Sequence, residues 1–378
     1  MKKEYKVAII IAVILVATMG ILAVILPYLK DNNVQTPKVV RIYVNSTIYD
    51  SLFTELTQYK QDLSNQGYNA TLISWSDLNI HNLKNDLNNS YNSPQSLFGA
   101  VLIGEMPYIM YQNGSEIFPS DLFLMDLDGL WVDADPPPPS NDGIYDHHHD
   151  GYGDIYPEIF IGRINPECLN NVNHTLEYKD YFNRNHAYRN GTLTQPHSQL
   201  VYIDDDWATT QQLVNEWLGD MTAYSNITCI SNASVTTALD FKSRLTHVYE
   251  FVHLFVHSFY YQHQFGPSGF GTEGILTYND ILSTNLSALF FNLYACSACR
   301  YHEIDNLGTE YLFSGNTLSV VGSTKTGGMT MNSYFYTPLS QGKVIGEALR
   351  LWFSNPLHPA WDGQSQGMTL LGDPFLTI

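Results

Sequence analysis

The sequence predicts an α/β fold: a mostly parallel sheet flanked by helices, in two α/β subdomains that follow one N-terminal transmembrane helix. Two patterns indicate this class. Short apolar segments alternate with segments whose apolar residues recur at helical spacing, as in parallel strands joined by crossover helices. A long uncharged stretch sets residues 1–29 apart from the rest of the chain.

The uncharged stretch at residues 7–29 is mostly apolar, and as a helix it reaches about 34 Å, enough to cross a bilayer. Lys2, Lys3 and Lys6 precede it, so the positive-inside rule leaves residues 1–6 in the cytoplasm. We predict a single-pass signal anchor in the cell membrane with an extracellular C-terminal part. Secretion after cleavage of a signal peptide is the alternative, but no A-x-A cleavage site follows the stretch.

The composition excludes some classes of partner. The formal net charge of −19 argues against nucleic acid, because phosphate binding needs clustered Lys and Arg. Four cysteines are too few for a disulfide scaffold, so the fold depends on hydrophobic packing. The composition gives no indication of an oligomeric state.

The first predicted subdomain spans residues 38–190. Its strands alternate with polar helical stretches, and a helix is predicted within "ECLNNVNHTLEYKDYFNRN". The predicted strands are "VVRIYVNS", "NATLISW", "LFGAVLIGEMP" and "PEIFIGRIN".

One insertion, residues 131–154, interrupts this alternation. Its four consecutive prolines forbid helix and interior strand, so we predict a loop. The Asp and His residues of the loop, with "DLDG" at 126–129 just before it, are typical either of a solvated acidic loop or of a metal site.

The second predicted subdomain spans residues 198–378, after a polar seam at 186–198. It opens with a strand and helix in "QLVYIDDDWATTQQLVNEWLGD". Three compact apolar segments follow, which we predict as strands: "HVYEFVHLFVHS", "ALFFNLYAC" and "TLSVVGST".

Two of these strands end in residues that can form a nucleophile and base. "FVHLFV" leads into His257, and "LFFNLYA" leads into Cys296. Catalytic groups collect at the carboxyl ends of parallel strands, where a Cys–His pair suits acyl transfer. A helix beginning just past Cys296 would lower the thiol pKa further.

Other interpretations of these residues stay open at this point. A cysteine after a buried strand is often an inert small hydrophobe, and His253 or His263 can replace His257 in a catalytic role. Cys296 and Cys299 also form a C-x-x-C pair, which suits a disulfide oxidoreductase.

The order of several motifs resembles the caspase-like cysteine peptidases of the gingipain family. These are "FVHSF" at 255–259, "YACSA" at 294–298, "GDIYPEIFIGRINPE", "VVGSTKTGG" and the C-terminal "LLGDPFLTI". The resemblance covers residues 38–378 and implies a caspase-like fold in the second subdomain, with protein or peptide substrates.

The resemblance implies roles for individual residues. The general acid/base falls on His257 and the nucleophile on Cys296, with an oxyanion hole made by the backbone N–H groups of Cys296 and Ser258. The family usually has glycine at the position of Ser258. Cys299 is a second departure, and we consider it a redox neighbour that could trap Cys296 as a disulfide.

The resemblance also carries expectations about specificity and metal. It implies cleavage after Arg or Lys, and it requires no cofactor for the chemistry. It implies structural calcium, for which the candidate ligands are Asp126, Asp128, Asp150 and Asp154. The alternative function is a non-catalytic surface protein that uses the peptidase fold for binding or adhesion.

Overall fold

One large sheet contains the strands of both predicted subdomains. The computed structural model describes residues 37–134, 142–355 and 365–378, and Lys38–Ile378 fold as one unit. Within the described residues the strands are β1 Lys38–Asn45, β2 Tyr68–Trp75, β3 Leu97–Ile103, β4 Ile109–Asn113, β5 Glu116–Ser120, β6 Leu130–Val132, β7 Ile144–Tyr145, β8 His147–His149, β9 Phe160–Ile164, β10 Gln199–Ile203, β11 Ile227–Ile230, β12 Phe251–Phe255, β13 His257–Phe259, β14 Gln262–Gln264, β15 Ile275–Thr277, β16 Phe290–Tyr294, β17 Ser319–Ser323 and β18 Met368–Gly372.

The ten-stranded sheet has the order β11-β10-β12-β16-β17-β18-β9-β3-β1-β2. Its neighbouring strands run parallel except at β17 and β18, which pair antiparallel. β18 also pairs with β9, through Leu371 and Arg163. The last strand of the described chain therefore joins the strands of the first half to those of the second.

Helices flank this sheet. In the described part of the chain they are α1 Ser46–Tyr49, α2 Phe53–Asn65, α3 Ile80–Tyr91, α4 Leu122–Met125, α5 His174–Arg189, α6 Gln211–Asp220, α7 Ala238–Arg244, α8 Tyr278–Leu282, α9 Leu307–Phe313, α10 Ser333–Ser340 and α11 Ile345–Phe353.

The observed α/β alternation confirms the predicted α/β class with a mostly parallel sheet flanked by helices. The central strands are buried throughout their length, as in the "FVHLF" of β12 and the "SVVGS" of β17, because parallel sheets are covered on both faces. The helix predicted from "ECLNN" begins later, at His174, because the Asn173 side chain caps it by accepting a hydrogen bond from Leu176 N.

The prediction of a loop over residues 131–154 is wrong for the residues that form strands before and after the four prolines. β6 pairs antiparallel with β8, and β7 pairs parallel with β4. Trp131 stacks on His148 with ring centroids 4.0 Å apart, a cross-strand aromatic contact that stabilises such short strands. The four prolines lie outside the described residues.

The predicted membrane anchor at residues 7–29 also lies outside the described residues. Within the parts of the chain that the structure does describe, there is no helix with the length and apolar character needed to cross a membrane.

Candidate active site

Three strands end together at the carboxyl edge of the sheet. β12 lies between β10 and β16, and all three run parallel. Phe255, the last residue of β12, is in register with Tyr294, the last residue of β16. His257 follows β12 and Cys296 follows β16, each by two residues beyond that registered pair. Neighbouring parallel strands lie about 4.8 Å apart, so the two residues leave the sheet at adjacent points of the same edge.

The backbone turns sharply at Cys296. Ser297 has a φ of 56°, an uncommon conformation for a non-glycine residue, and its N–H donates to Lys325 O at 2.7 Å. The half-buried Cys296 Sγ accepts a hydrogen bond from Gly327 N at 3.4 Å. These contacts fix the thiol at the end of β16.

The expectation of a helix just past Cys296 is wrong. Residues 296–299 form a turn, and the next helix in the described chain, α9, begins at Leu307. Arg300 instead holds this segment in place, since its guanidinium donates to Thr324 O at 2.8 Å and pairs with Glu116 at 3.0 Å.

The imidazole of His257 is oriented by two residues that follow β10. Its Nε2 donates to Asp206 Oδ2 at 2.7 Å, and Trp207 lies against the ring with centroids 4.6 Å apart. Asp206 also accepts a hydrogen bond from Ser268 N at 2.7 Å. Sequence reasoning missed Asp206, although the strand-end signal that singled out His257 and Cys296 is also present in "YIDDDW".

The two rival histidines are core residues. His253 is fully buried and its Nδ1 accepts a hydrogen bond from Tyr336 at 2.8 Å. His263 is fully buried between the hydroxyls of Ser258 and Tyr311. Burial lowers the pKa of each to about 3, so both imidazoles are neutral. His257, by contrast, is half-buried with its side chain 32% exposed.

The two predicted oxyanion donors are the backbone N–H groups of Cys296 and Ser258. The Cys296 N–H makes no hydrogen bond with any other described residue. Ser258 is absent from the positive-φ residues of the described chain, so its backbone does not need the freedom of glycine. The departure from the family pattern at Ser258 therefore leaves its N–H free of conformational strain.

Cys299 points into the core. It is fully buried, and a Cβ added at Gly308 or Gly322 would lie 2.7 or 2.6 Å from its Sγ. Burial raises the pKa of its thiol well above the ordinary range. All four cysteines are unpaired, so the structure does not join Cys296 to Cys299, and the redox role of Cys299 stays a prediction.

The structure brings together only part of the predicted metal set. Asp126 and Asp128 meet Glu158, with one oxygen from each carboxylate within 4.8 Å of the others. Asp154 is close enough to raise the pKa of Asp128, after the larger effect of burial. Asp150 is exposed and does not join the cluster. Sequence reasoning missed Glu158, which lies outside the loop.

One cavity in the described part of the chain is separate from this site. It has a volume of about 440 Å³ and lies where β3 and β9 end. Glu105, Tyr108, Asn165 and Tyr301 contribute to its lining, whereas His257 and Cys296 do not. Cys168 and His302 also line this cavity, but Cys168 Sγ accepts a hydrogen bond from Asn306 and His302 contacts Glu303. Among the described contacts, the cavity therefore has no hydrogen bond between a thiol and an imidazole.

Comparisons with known proteins concern the family and the fold. The model of peptidase family C25 matches residues 33–378. The crystal structure of the Arg specific cysteine proteinase gingipain R is similar, with a TM-score of 0.64 over 92% of this chain and 79% of that chain, at 13% sequence identity. At this identity the likeness concerns the fold alone. A comparison with curated protein sequences finds no match.

Proposed function

Because the chain belongs to peptidase family C25 and is therefore a cysteine peptidase, we propose that it is an endopeptidase with Cys296 as nucleophile and His257 as general acid and base. One observation carries this assignment. The thiol and the imidazole follow strands paired in register, Phe255 with Tyr294, so both face the same crevice.

The proposed reaction begins with proton transfer within the dyad. Asp206 keeps the proton on Nε2 of His257, so Nδ1 is the nitrogen that accepts the Cys296 proton. The thiolate attacks the scissile carbonyl carbon, and the imidazolium returns the proton to the leaving amine. Water then hydrolyses the thioester with His257 as base, which releases the acid and restores the thiol.

Two backbone amides are proposed to stabilise the oxyanion. The N–H of Cys296 makes no hydrogen bond to another described residue, which suits it to the negative charge that develops on the carbonyl oxygen. The N–H of Ser258, next to His257, is the second donor.

We propose a preference for a basic side chain before the cleaved bond. Rings of Trp207 and Tyr294 surround the dyad, with centroids 6.0 Å apart, and Trp217 packs on Tyr294 at 5.6 Å. Aromatic faces attract Lys and Arg through cation–π contacts, and the net charge of −19 favours cationic peptides in solution.

We propose membrane anchoring through residues 7–29, with the catalytic part outside the cell. The uncharged length of this stretch and the three preceding lysines support the proposal. Removing residues 1–29 is expected to move the protein from the membrane fraction to the soluble fraction. Equal fractionation of the two forms contradicts anchoring.

Structural calcium is proposed at Asp126, Asp128 and Glu158. Within the described residues, Asp128 Oδ1 is buried without a hydrogen-bond partner, and three carboxylates form a donor set that suits calcium. Burial, with the charges of Asp126 and Asp128, raises the pKa of Glu158 to about 7. Bound calcium would offset this crowded negative charge, and it takes no part in hydrolysis.

The peptidase proposal is tested with internally quenched peptides and the purified full-length chain. Cys296→Ala is expected to abolish cleavage because no nucleophile remains. Cys299→Ala is the matched control, and it should retain cleavage because this thiol is buried away from the crevice. Undiminished cleavage by Cys296→Ala would refute the assignment, and an inactive wild type would favour the binding alternative.

A further inference from the structure

Three carboxylates outside the dyad lie where β10 ends. One oxygen each of Asp204, Asp205 and Glu273 lies within 4.8 Å of the others. Among the described residues, no basic side chain forms an ion pair with any of the three. Three acidic groups are thus placed together without a compensating cation from the described chain.

Two of these carboxylates each have a buried oxygen that accepts no hydrogen bond within the described residues. Asp204 is fully buried; its Oδ2 accepts a hydrogen bond from Gly266 N at 3.0 Å, but its Oδ1 has no partner among the described residues. Glu273 Oε2 is likewise buried and unpartnered in the described chain. A buried, unpartnered carboxylate oxygen is costly, so each requires a proton or a cation.

The third carboxylate is fixed in place. Asp205 Oδ1 accepts a hydrogen bond from Thr236 Oγ1 at 3.0 Å, and Thr236 is itself fully buried. Carboxylate oxygens from several loops suit calcium better than magnesium, because calcium accepts irregular geometry and more ligands.

The cluster ties together both ends of a glycine-rich loop, residues 265–274. Gly266, near its start, donates to Asp204, and Glu273 lies near its end. Backbone bonds from Phe265 N to Gly274 O at 3.0 Å and from Glu273 N to Phe265 O at 3.1 Å close the loop.

The same loop contacts the catalytic histidine. A Cβ at Gly269 would lie 2.7 Å from His257 Cγ, and Ser268 N donates to Asp206. Asp206 directly follows Asp205. The position of the glycine-rich loop relative to the end of β10 therefore determines the geometry of the hydrogen bond between His257 and Asp206.

We propose that Asp204, Asp205 and Glu273 form a calcium site that holds the glycine-rich loop against the end of β10 and so positions Asp206 and His257. This site is distinct from the Asp126 cluster, with which it shares no residue. Its effect on cleavage rests on the proposed peptidase function, whereas calcium binding does not.

Calcium binding is tested on the full-length chain, stripped with EGTA and titrated with ⁴⁵Ca²⁺ in equilibrium dialysis. Glu273→Gln and Asp204→Asn are each expected to lose one calcium equivalent relative to wild type. Glu216→Gln removes an exposed carboxylate outside both clusters and is the control, which should keep the wild-type number of calcium equivalents. The double variant Glu273→Gln/Asp126→Asn should lose two equivalents, because the two clusters share no residue. Near-ultraviolet circular dichroism shows which variants are folded. The Glu273→Gln result decides the matter if Asp204→Asn does not fold.

Unchanged calcium stoichiometry in Glu273→Gln overturns the site and favours a proton shared among the three carboxyls. The positioning role is tested by steady-state kinetics. In Glu273→Gln, kcat should fall at least about fivefold while KM stays nearly unchanged. Added calcium should then change kcat of this variant only through the Asp126 cluster. Loss of calcium with unchanged kcat overturns the link to His257. If the wild type cleaves no peptide, the peptidase proposal fails, while dialysis still decides the calcium site.

Discussion

His257 has its two sides fixed by different residues. Asp206 Oδ2 accepts a hydrogen bond from Nε2–H at 2.7 Å, and the Trp207 ring centroid lies 4.6 Å from that of the imidazole. The carboxylate thus sets the tautomer, and in the proposed mechanism it also stabilises the imidazolium that forms.

Asp206→Asn tests this role. The amide keeps a polar contact but removes the negative charge, so we expect kcat to fall on the order of 100-fold with KM little changed. Steady-state kinetics on a quenched peptide measures both values. Glu216→Gln, which removes one exposed charge from the neighbouring α6, should leave kcat at the wild-type value. Equal kcat in Asp206→Asn and wild type contradicts the role.

Glu310 gives a pH-dependent prediction for stability. Burial, and then the charge of Asp305, raises its pKa to about 8 from an ordinary value of 4.5. The folded protein keeps this carboxyl protonated where the unfolded chain ionises it. Its contribution to stability is therefore full below about pH 4.5 and is lost as the pH rises through 8.

Glu310→Gln should remove this dependence. Each pH unit between 4.5 and 8 costs the wild type about 1.4 kcal/mol relative to the variant, so the variant should be the more stable protein at pH 8.5. Melting temperatures at pH 5 and pH 8.5 test this expectation. An identical difference between variant and wild type at both pH values contradicts it.

The sequence predicts the individual residues that follow strands, but it does not predict the side chains that orient them through hydrogen bonds. His257 and Cys296 were predictable because each ends an apolar run. Asp206 was not, because three acidic residues follow β10, and only the backbone direction after the strand decides which one faces His257. Glu158 was missed because it joins Asp126 only through tertiary packing.

The glycine-rich loop is in direct contact with His257, the proposed general acid and base. Gly269 has a φ of 66°, and a side chain there would collide with the His257 ring. Gly271 has nearly the same φ, 65°, but a Cβ at Gly271 would meet Ile275, 2.8 Å away. Substituting each glycine in turn therefore distinguishes the effect of backbone strain, which both substitutions cause, from the effect of contact with the imidazole, which only the Gly269 substitution causes.

Gly269→Ala is expected to lower kcat/KM at least about tenfold, because the methyl group displaces His257. Gly271→Ala is the matched control, with a similar strain of about 1–2 kcal/mol and near-normal kcat/KM. Kinetics and melting temperatures of both variants make the comparison. Equal activity losses in the two variants would show that loop strain, and not contact with His257, limits catalysis.

Elements with strong apolar periodicity were predictable, and short ones were not. β12 and β16 agree with the predicted segments because each is a buried run. β6 and β8 have three residues each and depend on mutual pairing and on the stacking of Trp131 with His148. Local sequence does not encode such pairing.

The C-terminal segment connects distant parts of the molecule through Asp373. This fully buried carboxylate accepts hydrogen bonds from Tyr59 and Asn185, both at 2.8 Å, and it pairs with Arg189. It thereby joins α2 and α5 to the residue that follows β18.

Asp373→Asn should destabilise the whole molecule by roughly 3–5 kcal/mol, because Arg189 is left as an uncompensated buried charge. The shift in melting temperature measures the loss. The double variant Asp373→Asn/Arg189→Met should recover part of it, since no buried charge then lacks a partner. A double variant less stable than Asp373→Asn contradicts this explanation.

The parallel character of the sheet was predictable, whereas its strand order was not. Alternating strands and helices predict crossover connections for each half. Nothing local to Met368–Gly372 indicates that this strand runs antiparallel to β17 and also pairs with β9, because that pairing joins residues about 200 positions apart.

The central place of β18 has a consequence for synthesis. β9 and β17 leave the ribosome before residues 368–372, so until then each presents a bare sheet edge. Such edges pair readily with other chains. We therefore expect a chain in which residues 368–372 have not yet paired between β17 and β9 to be more prone to aggregation than the folded protein.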